Sequence, residues 1–256
     1  MPPLRLLVTA IAALALCALP EATRAQGFSD GQRGEIETII KNYLIAHPEV
    51  LEEAMAELNK RQAAAEAEKH EASVAENSET IFNSPRGVVL GNKDGDVTFV
   101  EFFDYNCGYC KRAMADMLDL LKNDSKLKVV LKEFPVLSEG SVEAAKVAVA
   151  VRMQDPSGKK YLDFHQKLLG GRGPADKARA MAAAKDAGLD MARLEKDVAS
   201  PEVKATIEEN MKLAEAMGMN GTPSYVIGKQ IVVGAIGLDG LKEKIELARC
   251  GKASCS

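Results

Sequence analysis

The chain has 256 residues, 33 Lys and Arg against 37 Asp and Glu for a net charge of −4, no tryptophan, and 5% aromatic residues. A mildly acidic chain without a basic stripe excludes nucleic acid as a partner class. So few aromatics argue against stacking platforms for bases or sugars.

The N-terminus "MPPLRLLVTAIAALALCALPEATRA" has one early cation, Arg5, then an apolar run, Pro20 and a small-residue end. Thr23 and Ala25 fit the small-residue rule for signal cleavage, so residues 1–25 read as a signal peptide and Gln26 as the mature N-terminus. The apolar core is shorter than the ~20 residues a membrane span needs. Leu16 is bulky where a lipidation site before Cys17 requires a small residue. The mature chain is expected to be exported, with a net charge of −5, into a compartment where disulfides persist. Four cysteines remain, Cys107, Cys110, Cys250 and Cys255, which allow three connectivities. A mature chain of this length buries an ample core without staples, so stabilisation alone is a poor reason for the first pair.

Residues 26–80 read as an N-terminal helical segment and linker. Ile36, Ile39, Ile40, Tyr43 and Leu44 share one helical face. A second helix starts at Pro48, with Glu49, Glu52 and Glu53 at its positive end and a stripe through Val50, Leu51, Ala54, Met55 and Leu58. Beyond Asn59 the stripe fades into alanines among charges, helical by propensity but with little to bury. Such a pair cannot hide its stripe within itself. Self-association through residues 28–60 is the expectation, and an extension lying across its own core is the alternative.

Residues 81–256 read as an α/β domain. Val88–Leu90 and Val97–Phe103 are strand runs either side of the turn "NKDGD". Met114, Met117, Leu118 and Leu121 mark a helix from Cys107, and "KLKVVLKEFPVL" returns to strand, giving strand, helix, strand. From about 139 to 217 the chain reads helical, broken at "QDPSGKK", "GGRGPAD" and "DAGLD". "GTPSYVIGKQIVVGAIG" forms two short strands turning at Gly228 and Lys229. "LDGLKEKIELARC" closes the chain as a helix burying Leu238, Leu241, Ile245 and Leu247. The layout is α/β around one sheet with a large helical insertion.

Cys107 and Cys110 fall at the strand-to-helix turn. Unpaired N–H groups and the helix dipole favour a thiolate there, so Cys107 is the expected exposed nucleophile. Cys110, one turn on, is the buried resolver, and Gly108 is expected to ease the tight geometry. The reaction is thiol–disulfide exchange. Glu101, in an otherwise apolar strand, is a candidate to accept the proton of Cys110, directly or through water; an exposed edge residue is the alternative.

The run "VEFFDYNCGYCKR", the later "GTPSYVIG" and the helical stretch between them resemble the thioredoxin-fold, DsbA-like proteins of the bacterial periplasm. The resemblance implies that Pro223 is cis and faces the cysteines, and that the backbone of Thr222 pairs with an extended substrate. It implies a buried acid at Glu101 and a periplasmic location. Gly108 and Tyr109 would join Thr222 and Pro223 in substrate contact. "YNCGYCKR", "EFPVLSEGSVEAAKVA" and "NYLIAHPEVLEEAMAELNKRQ" further resemble the ScsC-like branch, whose members can carry an N-terminal oligomerisation segment. That implies a thioredoxin fold with a helical insertion, preceded by a helical oligomerisation segment. It also implies a trimeric disulfide isomerase or reductase acting on unfolded or misfolded exported proteins, kept reduced by a membrane partner, with no cofactor beyond its redox-active disulfide.

Cys250 and Cys255, in "ARCGKASCS", depart from that pattern. They read as a small structural or adventitious disulfide, with a redox relay or metal binding as alternatives. A monomeric thiol oxidase is the alternative function. A four-cysteine zinc protein ranks below it, because His47, His70 and His165 lie in helical stretches elsewhere, where surface or helix-end positions are the expectation.

Overall fold

A computed structural model describes residues 27–255; the signal-peptide expectation, Gln26 and Cys17 lie outside them. The described residues divide into two compact units at Arg61–Gln62.

In the first unit, α1 spans Asp30–Ala46 and is capped by Ser29, whose side chain accepts from Gln32 N–H while the Gln32 side chain accepts in return. Helix α2, Glu49–Glu76, begins immediately after Pro48 and continues into the second unit. α1 buries none of its residues. Ile45 is 69% exposed and Met55 63%, and Ile39, Ile40, Tyr43, Leu51 and Leu58 are exposed with them. Most of both amphipathic stripes is therefore exposed, with Ile36, Leu44 and Val50 half-buried.

In the second unit, the end of α2 and α3 (Ser78–Phe82) supply buried Val74 and Ile81. Residues 62–80, read from sequence as part of the N-terminal segment and linker of residues 26–80, thus belong with this unit. Alanines and charges hid that, because the stretch buries a single valine and is otherwise held by polar contacts, Ser73 Oγ donating to Ala216 O at 3.0 Å and Glu71 pairing with Lys229. A five-stranded sheet follows, in the order β1-β3-β2-β4-β5: β1 Val88–Gly91, β2 Val97–Phe103, β3 Leu127–Glu133, β4 Ser224–Ile227 and β5 Gln230–Val233. Strands β2 and β3 are parallel, joined by α4 (Gly108–Asn123), and the other pairs are antiparallel. Helices α5 (Glu139–Gln154), α6 (Lys159–Gly170), α7 (Lys177–Asp186), α8 (Met191–Asp197) and α9 (Pro201–Ala216) form the insertion between β3 and β4, and α10 (Gly237–Cys250) closes the fold.

The central position of β2 explains its composition. Both faces are covered, so Phe99 and Phe103 enter one core and Val100 and Phe102 the other. Leu241 and Ile245 of α10 are buried, but Leu247 is 37% exposed, contrary to expectation. Two residues from Ile245 is about half a helical turn, which points Leu247 away from the buried face.

Candidate active site

Strand β2 ends at Phe103 and the chain turns over Asp104–Cys107, closed by Cys107 N–H donating to Asp104 O at 3.0 Å. The buried Asp104 carboxylate fixes this turn. One oxygen accepts from Asn106 N–H at 2.8 Å, the other from Val136 and Leu137 N–H at 2.9 and 3.0 Å. Parallel pairing brings the end of β3, and hence that loop, to the same edge of the sheet.

Cys107 is the N-cap of α4, and its Sγ accepts from Cys110 N–H at 3.2 Å. As a thiol it donates to Thr222 O at 3.2 Å. The Thr222–Pro223 bond is cis. The Cys107 thiol is pulled down to about 6. The chief cause is its hydrogen bond with the Cys110 thiol; Thr222 and the N–H groups of Cys110 and Tyr109 add to it, while burial opposes. The Thr222 hydroxyl is buried and without a hydrogen-bond partner. Burial and the same sulfur–sulfur hydrogen bond push the Cys110 thiol up. The two sulfurs differ in the direction that separates nucleophile from resolver.

Cys107 is only 6% exposed, so the expectation of an exposed nucleophile is corrected; Cys110 is 0% exposed. Access to Cys107 runs through a groove of about 450 Å³ lined by Gly108, Lys111, Leu168, Leu169 and Arg172. Gly108 is exposed, and a Cβ built there would meet nothing within 4 Å. The space beside Gly108 is therefore open. Tyr109 is 60% exposed, with the Arg112 guanidinium carbon 4.4 Å from its ring centre.

Glu101 is buried on a central strand, paired with Leu131 on one side and Tyr225 on the other, not at an edge. Burial, then the charge of Cys107, then Asp116 raise its carboxyl to about 8. Its charge acts in turn on the Cys110 thiol.

The sequence reading missed a buried polar cluster next to the turn. Tyr105 OH lies 3.3 Å from Tyr161 OH and 3.3 Å from His165 Nδ1, and Tyr161 OH donates to Glu133 Oε1 at 2.7 Å. Burial raises the Glu133 carboxyl and holds His165 down to about 3, so the imidazole is neutral. His165 is thus a core residue and not the surface or helix-end histidine expected. Nothing local marks it, because Tyr161 and His165 come from the insertion and Glu133 from β3.

Cys250 and Cys255 are joined to each other. With Glu246 they are the group of three metal-capable side chains found among the described residues. The two sulfurs are consumed in the disulfide, so this arrangement is a staple. Arg249, next to it, pairs with Asp124 at 2.7 Å, and Asp124 caps the C-terminal end of α4. Cys107 caps the other end of that 16-residue helix, about 24 Å away. Among the described residues, the four cysteines form two separate pairs and no group of metal-capable side chains holds all four.

Two descriptions of known families match the chain: "DSBA-like thioredoxin domain" over residues 98–246 and "Copper resistance protein ScsC N-terminal domain" over residues 32–65. The structure is similar to a thioredoxin-like oxidoreductase from Silicibacter pomeroyi DSS-3, at 43% identity and a TM-score of 0.63, covering 67% of this chain and 96% of that one. It is similar to a linker-deletion mutant of Proteus mirabilis ScsC at 26% identity and a TM-score of 0.65, covering 88% and 98%. Disulfide bond formation protein D of Bacillus subtilis is 25% identical over 174 residues, 64% of this chain and 78% of that one. The chain spans about a quarter of the length of two Na(+)/H(+) antiporters it also matches, from Salinispora arenicola at 25% identity and Herminiimonas arsenicoxydans at 26%. No helix of the described residues is long and apolar enough to cross a membrane.

Proposed function

We propose that this chain, which belongs to the DSBA-like thioredoxin family, exchanges disulfides in exported proteins in the periplasm, as a self-associating disulfide isomerase or reductase. The observation that carries the chemistry is the acidified Cys107 sulfur, capping α4 and lying 3.2 Å from Thr222 O. Backbone at Thr222 can pair with an extended substrate while its disulfide meets that sulfur.

The Cys107 thiolate attacks one sulfur of a substrate disulfide. A Cys107–substrate bond forms, the substrate S–S bond breaks, and the second substrate sulfur leaves as a thiolate. If another substrate thiolate then attacks the mixed disulfide, Cys107 is released, the substrate is rearranged and no electrons are transferred overall. If Cys110 attacks first, the substrate leaves reduced, having taken two electrons from the Cys107–Cys110 dithiol.

Glu101 is suited to time that choice. With Cys107 ionised its carboxyl holds a proton at neutral pH. Once Cys107 is tied up in the mixed disulfide, the anion that helped raise the carboxyl is gone. Glu101 then loses its proton more readily and becomes a base for Cys110, through one water if not directly. Resolution is thereby favoured only after capture.

Two exposed stripes in residues 28–60, within a segment matching the ScsC N-terminal domain, support assembly, with a trimer as the expected state. Several active sites around shared substrate suit an isomerase. Refolding of scrambled ribonuclease by the reduced full chain tests this, alongside its mass in solution. Reactivation by an oligomer is expected; a monomer that restores only reduced ribonuclease, when supplied oxidised, is instead a thiol oxidase.

A further inference from the structure

The groove over Cys107 carries charge that nothing in it neutralises. Lys111 and Arg172 line it. Arg112, next to Lys111 in the chain, lies over the Tyr109 ring, and Arg179 donates to two backbone oxygens of the groove wall, Gly173 O and, at 2.9 Å, Pro174 O. Lys111 Nζ donates to Gly171 O at 2.7 Å, a neutral acceptor that leaves the ammonium charge uncompensated. Among the described residues none of these four cations forms an ion pair with a carboxylate. No acidic residue lines the groove, although the chain as a whole is acidic.

The wall is also built, not merely exposed. Asn106 Oδ1 accepts from Ala175 N–H at 2.7 Å and Asn106 Nδ2 donates to Ala175 O at 2.8 Å, tying the 171–175 loop to the turn that carries Cys107. Leu168 and Leu169 supply an apolar floor, and neither Thr222 nor Pro223 belongs to the lining. Backbone pairing at Thr222 and side-chain contact in the groove thus address different walls of the same sulfur.

We propose that Lys111 and Arg172 are specificity-determining residues that select substrate cysteines flanked by Asp or Glu, the acidic side chain entering the groove as the disulfide meets Cys107. The inference rests on the exchange activity proposed above and names the substrate class of that site. Attraction of a carboxylate to two partly solvated cations is worth a factor of several in rate at low salt, and less as salt screens it.

The test uses the reduced full chain and three peptide disulfides in which the cysteine is flanked by Glu, by Ser or by Lys. The rate of reduction of each is divided by its rate with dithiothreitol, which removes intrinsic reactivity. We expect about fivefold faster turnover of the Glu peptide than the Lys peptide at low salt, a ratio falling towards one as salt is raised, and reversal or loss of the preference in Arg172→Glu. Arg172 is exposed, so this variant keeps the loop contacts made by Lys111 and Asn106. Equal normalised rates for the Glu and Lys peptides, or a preference unchanged in Arg172→Glu, overturn the assignment. Failure to reduce any of the three overturns the exchange activity itself, and the proposal with it.

Discussion

Glu101 is the residue whose behaviour most directly exposes the electrostatics of this site. Its folded carboxyl holds a proton up to about 8, whereas an unfolded one releases it near 4.5. Between those values the folded state binds more protons than the unfolded state, so this group makes stability fall as pH rises. The loss approaches roughly 3 kcal/mol at neutral pH, an order-of-magnitude figure. Glu101→Gln removes it. The melting temperature of the reduced variant should therefore exceed that of the reduced wild type by a margin that widens from about pH 5 to about pH 8. Comparison within one redox state leaves the contribution of Cys107 nearly common to both proteins. A margin independent of pH would show that the carboxyl is not held protonated by its burial.

At the scale of elements, α4 separates two cysteine pairs with different duties. Its N-terminal end carries Cys107, and its C-terminal end is fastened to the tail by Arg249, which pairs with both Asp96 and Asp124. The Cys250–Cys255 bond closes a loop of about six residues, and such a loop constrains the unfolded chain by about 2 kcal/mol. Cys255→Ser should lower the unfolding free energy by about that amount, read as a lower denaturant midpoint at unchanged slope, and leave the exchange rate per active site unchanged. Loss of exchange with stability intact would instead make the tail pair part of the redox chemistry. The same helix shows what a linear pattern conveys. Apolar residues at helical spacing and a thiol pair directly after a doubly buried strand are local signals, so β2, α4 and the two reactive sulfurs could be read from sequence. Partners brought together by the insertion could not, because Tyr161 and His165 reach Tyr105 only after α5 has returned the chain to the sheet.

For the whole molecule, the proposed function draws on an acidified sulfur, the cis Thr222–Pro223 segment beside it and an exposed helical stripe. Cys107 and Thr222 lie in the second compact unit and the exposed stripes in the first, so the proposed exchange and the proposed assembly should be separable by truncation. Helix periodicity exposed the stripes, yet the extent of the second unit was not legible, because residues 62–80 are held by buried Val74 and by contacts of Glu71 and Ser73 to residues more than 140 positions away. The central claim is that Cys107 attacks and Cys110 resolves. It is tested most directly by expressing Cys107→Ser and Cys110→Ser variants with their exported substrates and resolving covalent adducts on non-reducing gels, confirmed by mass spectrometry of the bridging cysteine. The account predicts mixed disulfides through Cys107 accumulating in Cys110→Ser and absent from Cys107→Ser. Adducts through Cys110 in the Cys107→Ser variant, with none in the other, would contradict it.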